Sequence, residues 1–125
     1  MFPKDRKSLA ERTAEELFAK DHVGAVRHLE GADLMSVISV IRGVMKSFCQ
    51  DFRDAVEELR GRLVYTCVAD SRSGEMKVWV TATQVEGVGV VMDVKLFHQT
   101  EASAEADELL ADMMGEIESR VYGHD

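Results

Sequence analysis

The chain has 125 residues, of which 46% are hydrophobic, and it carries a formal net charge of −8. This length and composition suit one folded domain with a sizeable core, and the mixture of both charge signs argues against intrinsic disorder. The acidic excess argues against binding to nucleic acid or an anionic membrane, because a protein that binds such a surface must present a cationic face.

The first predicted elements are helices in an N-terminal helical region, residues 1–31. Ser8 and Glu11 have the spacing of a capping box, in which each side chain accepts a hydrogen bond from the backbone of the other residue. This spacing predicts a helix over about residues 9–20. A short helical continuation follows, and Gly31 ends it.

The longest predicted element is a central helix over residues 33–60, which Gly61 ends. An apolar stripe at helical spacing extends along its whole length and predicts the side that faces the core. Short side chains follow one another on the opposite side, and we predict that they form a self-association helix face. These residues are Ser36, Val40, Gly43 and Ser47. Small residues let another backbone approach closely, so either the N-terminal helices or a second copy of the chain would cover them.

From Arg62 the hydrophobic period changes from 3.6 to 2 residues, which predicts a three-stranded antiparallel β-meander over residues 62–99. One face of each strand is apolar and should pack on the helices. The other face should be polar if water covers it, yet it also carries large apolar side chains. These are Val64, Val68, Trp79, Val91 and Phe97.

Trp79 is the only tryptophan of the chain, and it lies in the middle of a strand on the side that should be wet. Large aromatic side chains often anchor protein interfaces. We therefore predict that this apolar outward face binds a partner. The alternative is that part of the N-terminal region folds over the face and makes it ordinary core.

The last predicted element is an amphipathic helix over residues 101–122. Residues 61–125 hold 12 acidic and 5 basic side chains, so the acidic excess lies mainly in this half of the chain. Five carboxylates at helical spacing predict an acidic stripe, formed by Glu101, Glu105, Glu108, Asp112 and Glu116. The stripe is either solvated or paired with a basic row on the central helix, which contains Arg42, Lys46, Arg53 and Arg60.

No spacing of residues in the sequence is typical of catalysis or of metal binding, so we assign no catalytic residue, metal or cofactor. Cys49 and Cys67 are far apart and have no CxxC or zinc spacing, which predicts two buried free thiols. An alternative interpretation is a small-molecule-binding or enzymatic domain with a pocket between sheet and helices. Tyr65, Cys67 and His98 would then supply its polar lining.

A cytoplasmic location is expected because no apolar run follows the basic N-terminal residues, and the longest apolar run is too short to cross a bilayer. The predicted fold is a single α+β domain of residues 1–125. Its order of helices, three strands and a helix, together with its acidity, resembles the small acidic chaperones of bacterial type III secretion. Those proteins have further strands between their last helices, and no motif is shared.

The sequence leaves enzymatic activity open but favours a non-enzymatic protein-interaction module, which would be an adaptor, a chaperone-like protein or an assembly factor. We expect a protein partner. We also expect a homodimer, because three strands alone make a thin core that something else must complete.

Overall fold

The computed structural model describes residues 7–17, 20–98 and 103–123. These residues form three helices and five strands. The helices are α1 (Leu9–Leu17), α2 (Leu34–Phe48) and α3 (Ser103–Val121). The strands are β1 (His22–Glu30), β2 (Cys49–Leu59), β3 (Arg62–Ser71), β4 (Met76–Val85) and β5 (Gly89–His98). Along the chain, α1 and β1 come first, then α2, then four consecutive strands, then α3.

The strands form one antiparallel sheet in the order β1-β5-β4-β3-β2. The three strands predicted from the sequence are β3, β4 and β5, and they lie at the centre of this sheet. The predicted three-stranded meander on a long central helix is therefore wrong, because β1 and β2 extend the sheet by one edge strand on each side. The observed element order, with β1 between α1 and α2 and four strands after α2, therefore differs from the order that resembled the type III secretion chaperones.

The central helix predicted over residues 33–60 is wrong in its second half, because α2 ends at Phe48 and β2 begins at Cys49. The pairing of β2 with β3 shifts register between Gln50 and Arg53, and Asp51 has a φ of 55°. Such a bulge places an extra residue in the strand and interrupts the alternation of its faces. The apolar residues of this segment therefore fall at intervals that also suit a helix.

Gly61 does not end a helix but turns a hairpin. Leu59 pairs with Arg62, so Arg60 and Gly61 form the two-residue connection between β2 and β3. Their φ angles are 54° and 79°. Two positive φ angles in a two-residue loop are the requirement of a type I′ turn, whose twist matches that of the flanking strands.

The N-terminal helical region predicted over residues 1–31 is also partly wrong, because β1 replaces its second helix. β1 pairs along its whole length with β5, from His22 opposite Phe97 to Glu30 opposite Gly89. At this last pair the two backbones meet so closely that a Cβ built on Gly89 would lie 2.3 Å from the carbonyl oxygen of Leu29. Only glycine fits there, and pairing with a strand so distant in sequence overrides any local helical tendency.

The two faces of the sheet carry different layers. The inner face packs against α2 and α3 and forms the main core. Its buried side chains from the three central strands are Tyr65, Cys67, Ala69, Met76, Val78, Val80, Ala82, Val90, Met92, Val94 and Leu96. The apolar side predicted for the last helix is confirmed, since Ala106, Met113 and Ile117 of α3 are fully buried in this core. No helix within the described residues is long and apolar enough to span a membrane.

The outer face of the sheet carries α1. Leu9, Thr13 and Leu17 follow one another at intervals of four residues along the helix, and all three are buried. The predicted capping box is confirmed, because the Ser8 amide donates to the Glu11 carboxylate and the Glu11 amide donates to the Ser8 hydroxyl, both at 3.0 Å. The N-terminal region therefore covers the sheet on the side away from the main core.

Candidate functional site

The five apolar residues predicted for the outward face do share one face of the sheet. Val68 of β3 lies opposite Trp79 of β4. Val64 of β3 and Val91 of β5 both lie opposite Thr83 of β4. Phe97 of β5 lies opposite Lys77, two residues before Trp79 on β4. Trp79 and Phe97 stack with their ring centroids 6.3 Å apart, and the Lys95 ammonium lies 5.2 Å from the centroid of the Trp79 ring. The five predicted residues therefore form a continuous aromatic and aliphatic cluster on one face of the sheet.

Helix α1 covers part of this outer face. Val68 and Phe97 are buried, whereas Val64, Trp79 and Val91 are half-buried. Whether the surface serves a partner stays a prediction, because α1 now occupies part of the area that a partner would contact.

Glu57 of β2 anchors the N-terminus of α1 to the sheet. Its carboxylate accepts the backbone N–H of Leu9 at 2.9 and 3.1 Å and that of Ala10 at 3.4 Å. These N–H groups have no partner inside the helix, and a carboxylate at this end also interacts favourably with the helix dipole. Near the other end of α1, the Nζ atom of Lys77 on β4 lies 3.9 Å from a carboxylate oxygen of Glu16 and 2.7 Å from one of Asp70.

Sequence reasoning missed Glu57 because its role depends on β2 being a strand, which the bulge conceals. Cross-strand pairing with Val64 places Glu57 on the outer face. No spacing in the sequence links it to Leu9, which lies 48 residues earlier.

The acidic stripe of α3 lies largely on the surface. Glu105, Glu108 and Asp112 are exposed, while Glu116 is half-buried and pairs with Arg120 at 3.0 Å. Glu101 lies outside the described residues. In the part of the chain that the structure describes, Glu105, Glu108 and Asp112 form no ion pair.

The basic row proposed as a counterpart of this stripe does not exist, because only two of its members lie on α2. Arg53 and Arg60 belong to β2 and to its hairpin turn. Arg42 pairs instead with Asp54 of β2 at 3.2 Å, and Lys46 lies 5.7 Å from the centre of the Phe52 ring.

A groove of about 290 Å³ lies beside the exposed carboxylates. It is bounded by the end of α2, by the β3–β4 hairpin and by α3. Its apolar lining comes from Phe48, Met76 and Leu109, and its polar lining comes from Ser71, Arg72, Ser73, Glu105, Glu108 and Asp112. Three elements distant in sequence thus bring an apolar strip next to three carboxylates, and no sequence spacing predicts the apolar part.

Arg72 contributes to one wall of this groove, but its guanidinium is engaged elsewhere. Its Nη2 atom donates to the carbonyl oxygen of Ser47 at 2.7 Å and to that of Lys46 at 3.5 Å. These carbonyls belong to the last turn of α2. A cation there satisfies unpaired acceptors and interacts favourably with the helix dipole. Among the described residues, no ion pair joins Arg72 to the carboxylates of the groove.

The predicted self-association face of α2 is divided between interior and surface. Ser36 and Ser47 are exposed, and Val40 and Gly43 are half-buried. A Cβ built on Gly43 would lie 3.5 Å from the Arg120 guanidinium, which places α3 beside this part of the helix. α3 thus explains why the first half of the predicted central helix is apolar on more than one side.

The residues of the alternative pocket are divided between the core and the surface. Tyr65 and Cys67 are buried in the main core, where the Tyr65 hydroxyl donates to Asp54 at 2.8 Å. His98 instead lines a surface pocket with Leu17, Lys77 and Phe97.

Both thiols are free and buried, as predicted. Burial raises the pKa of Cys49 to about 11, and burial also raises the pKa of Cys67 far above that of an ordinary thiol. Thiols that stay protonated are poor nucleophiles and poor metal ligands.

Within the described ranges, no group of three or more His, Cys, Asp or Glu side chains is arranged to hold a metal ion. The chain matches no protein-family model, and no curated protein matches it at a significant level.

Proposed function

We propose that this chain is a non-enzymatic protein-interaction module and that the groove beside α3 binds a basic amphipathic segment of a partner protein. One observation carries the proposal: an apolar strip, formed by Phe48, Met76 and Leu109, borders three carboxylates that have no ion pair among the described residues. A helix or strand with apolar side chains on one edge and Lys or Arg on the other would complement both parts.

The charge of the whole chain supports this choice of partner. A net charge of −8 attracts cationic segments at long range and speeds their encounter. The apolar strip then provides the affinity that charge at an exposed surface does not supply. An adaptor or an assembly factor would use such a groove to hold a basic segment of its client.

The test uses a synthetic peptide with Leu on one helical face and Lys on the other, titrated into the full chain by calorimetry at two salt concentrations. The double variant Glu108→Gln/Asp112→Asn should bind the peptide about tenfold more weakly, because two exposed charge contacts are lost. The double variant Glu86→Gln/Asp107→Asn is the matched control, since it also removes two charges, from exposed residues that do not line this groove.

Absence of saturable binding would refute the proposal. Equal weakening by the double variant and by the control would also refute it, because binding would then follow total charge rather than the groove. Binding that does not weaken when salt rises would contradict the role given to the carboxylates.

Homodimerisation forms a second part of the proposal and rests on exposed apolar side chains on the side of the sheet that packs against α2 and α3. Met35 of α2 is 70% exposed, and Leu63 of β3 is 54% exposed although it belongs to the inner face. Light scattering after size-exclusion chromatography should show a dimer that Met35→Glu converts to a monomer. Val88→Glu, which changes an exposed residue in the β4–β5 turn, should leave the dimer intact. A monomeric unmodified chain would refute this part alone.

A further inference from the structure

Two buried polar atoms on the outer face of the sheet lack a hydrogen-bond partner among the described residues. They are the hydroxyl oxygen of Thr66 and the indole nitrogen of Trp79. Thr66 lies opposite Thr81 and Trp79 lies opposite Val68, so the two side chains are diagonal neighbours on the same face. Buried polar groups are nearly always paired, and an unpaired one costs its full desolvation energy.

The contacts at the two ends of α1 place the helix on the same part of the outer face as these two atoms. The helix is anchored at its N-terminus to Glu57, opposite Val64, and near its C-terminus Glu16 approaches Lys77, opposite Asp70. The segment of β3 between Val64 and Asp70 contains Thr66. α1 therefore runs across the outer face beside β3, along the segment that contains Thr66 and pairs with the part of β4 that contains Trp79.

α1 offers neither of these atoms a hydrogen bond. Thr13 lies at the centre of its buried stripe, midway between Leu9 and Leu17. The Thr13 hydroxyl donates to the carbonyl oxygen of Leu9 at 2.8 Å and so serves its own helix. The place that α1 occupies on the outer face is called its seat. The apolar side chains of α1 match this seat, but α1 offers no acceptor to the indole N–H of Trp79.

The attachment of α1 is also light. The helix has nine residues, which is too short to be stable without its contacts. It buries three side chains, and its ion pair with Lys77 spans 3.9 Å. A short helix with so few contacts can be displaced by another helix.

We propose that the seat of α1 on the outer face is a second interaction surface, at which an amphipathic helix of a protein partner replaces α1. The partner helix carries a carboxylate at the centre of its apolar stripe, where α1 has Thr13. The indole N–H of Trp79 can only donate, so it requires an acceptor. Lys77 and Lys95 lie beside Trp79 on the same face. They pair with Asp70 at 2.7 Å and with Asp93 at 3.4 Å, and their ammonium groups can also attract a further acceptor that has negative charge. This proposal is independent of the groove beside α3.

The probe is a peptide with the sequence of residues 7–20 carrying Thr13→Glu, and its matched control is the unchanged peptide. Neither peptide contains tryptophan, so the emission of Trp79 reports the seat directly. Each peptide is titrated into the full chain and into a Leu17→Ala variant, in which the competing α1 is weakened but the seat is unchanged.

The Thr13→Glu peptide should bind about tenfold or more tightly than its control, because a hydrogen bond to a charged acceptor replaces an unpaired donor. Both peptides should bind more tightly to Leu17→Ala. Fluorescently labelled peptides should lose the preference for Glu with a Trp79→Phe chain, which has no indole N–H. They should keep this preference with a Thr66→Val chain, which retains the indole. Equal affinity of the two peptides, or no saturable binding to Leu17→Ala, would overturn the proposal.

Discussion

Replacing Thr66 by valine should stabilise the protein. Thr66 is completely buried, and its hydroxyl oxygen has no partner among the described residues. Valine has the same branched shape and the same preference for strands, and it exchanges the hydroxyl for a methyl group. The change removes an unsatisfied buried polar group without creating a cavity.

The magnitude follows from two contributions. An unpaired buried hydroxyl costs about 1–3 kcal/mol, and a newly buried methyl group contributes up to about 0.8 kcal/mol. Slight crowding beneath α1 opposes both. We expect the free energy of unfolding to rise by about 1–2 kcal/mol, which for a chain of this size raises Tm by roughly 4–8 °C.

The assay is urea denaturation followed by the emission of Trp79, with stability obtained by linear extrapolation. Thr81→Val is the matched control, because Thr81 lies directly opposite Thr66 on the same face but is only half-buried. The control should change stability by less than about 0.5 kcal/mol. Destabilisation by Thr66→Val, or an equal gain in both variants, would refute the reasoning.

Other predictions concern the anchor of α1 and the buried thiols. Glu57→Ala should lower the free energy of unfolding by about 1 kcal/mol through the loss of the acceptor at the N-terminus of α1, whereas Glu58→Ala, on the same strand but exposed, should have little effect in the same urea assay. Native protein at pH 8 should react with a thiol reagent far more slowly than unfolded protein, and fast labelling of both cysteines would contradict the burial described here. Because folding raises the pKa of Cys49 from 9.0 to about 11, its contribution to stability is complete below pH 9 and is lost as pH rises through 11. Cys49→Ala should flatten this part of the pH dependence.

Local signals in the sequence predicted the elements that depend on neighbours in the chain. The capping box at Ser8 and Glu11 forms because both partners lie within one turn. The alternation in β3, β4 and β5 placed Trp79 and Phe97 on one face, since tight connections fix the register of consecutive strands. The apolar side of α3 was equally predictable from its helical period.

The edge strands escaped sequence analysis for different physical reasons. In β2, the bulge before Arg53 breaks the period of two, and the remaining apolar spacing imitates a helix. In β1, the alternation is weakened because the apolar Val26 lies on the outer face and the charged Arg27 lies on the inner face. The strand is specified by β5, far away in the chain. The outer face could be recognised from its residues, but the identity of its cover depended on tertiary structure.

The acidic side of the candidate groove could be predicted from the sequence, but its apolar side could not. Helical spacing identified Glu108 and Asp112, which share a surface of α3. The apolar part requires Phe48 and Met76 to meet beside that helix, and this depends on where the β3–β4 hairpin lies. Contacts between distant elements carry no local period from which they could be recognised.

The pairing of β1 with β5 sets an order for folding. β2 to β5 are linked by short turns, so their pairing closes small loops and can proceed early. Glu30 instead pairs with Gly89, and β1, which is an edge strand of the described sheet, gains its pairing with β5 after that distant strand is in place. During synthesis on the ribosome, β1 emerges long before β5. The N-terminal segment must therefore wait without its strand partner, and attaching it is a late step in the assembly of this fold.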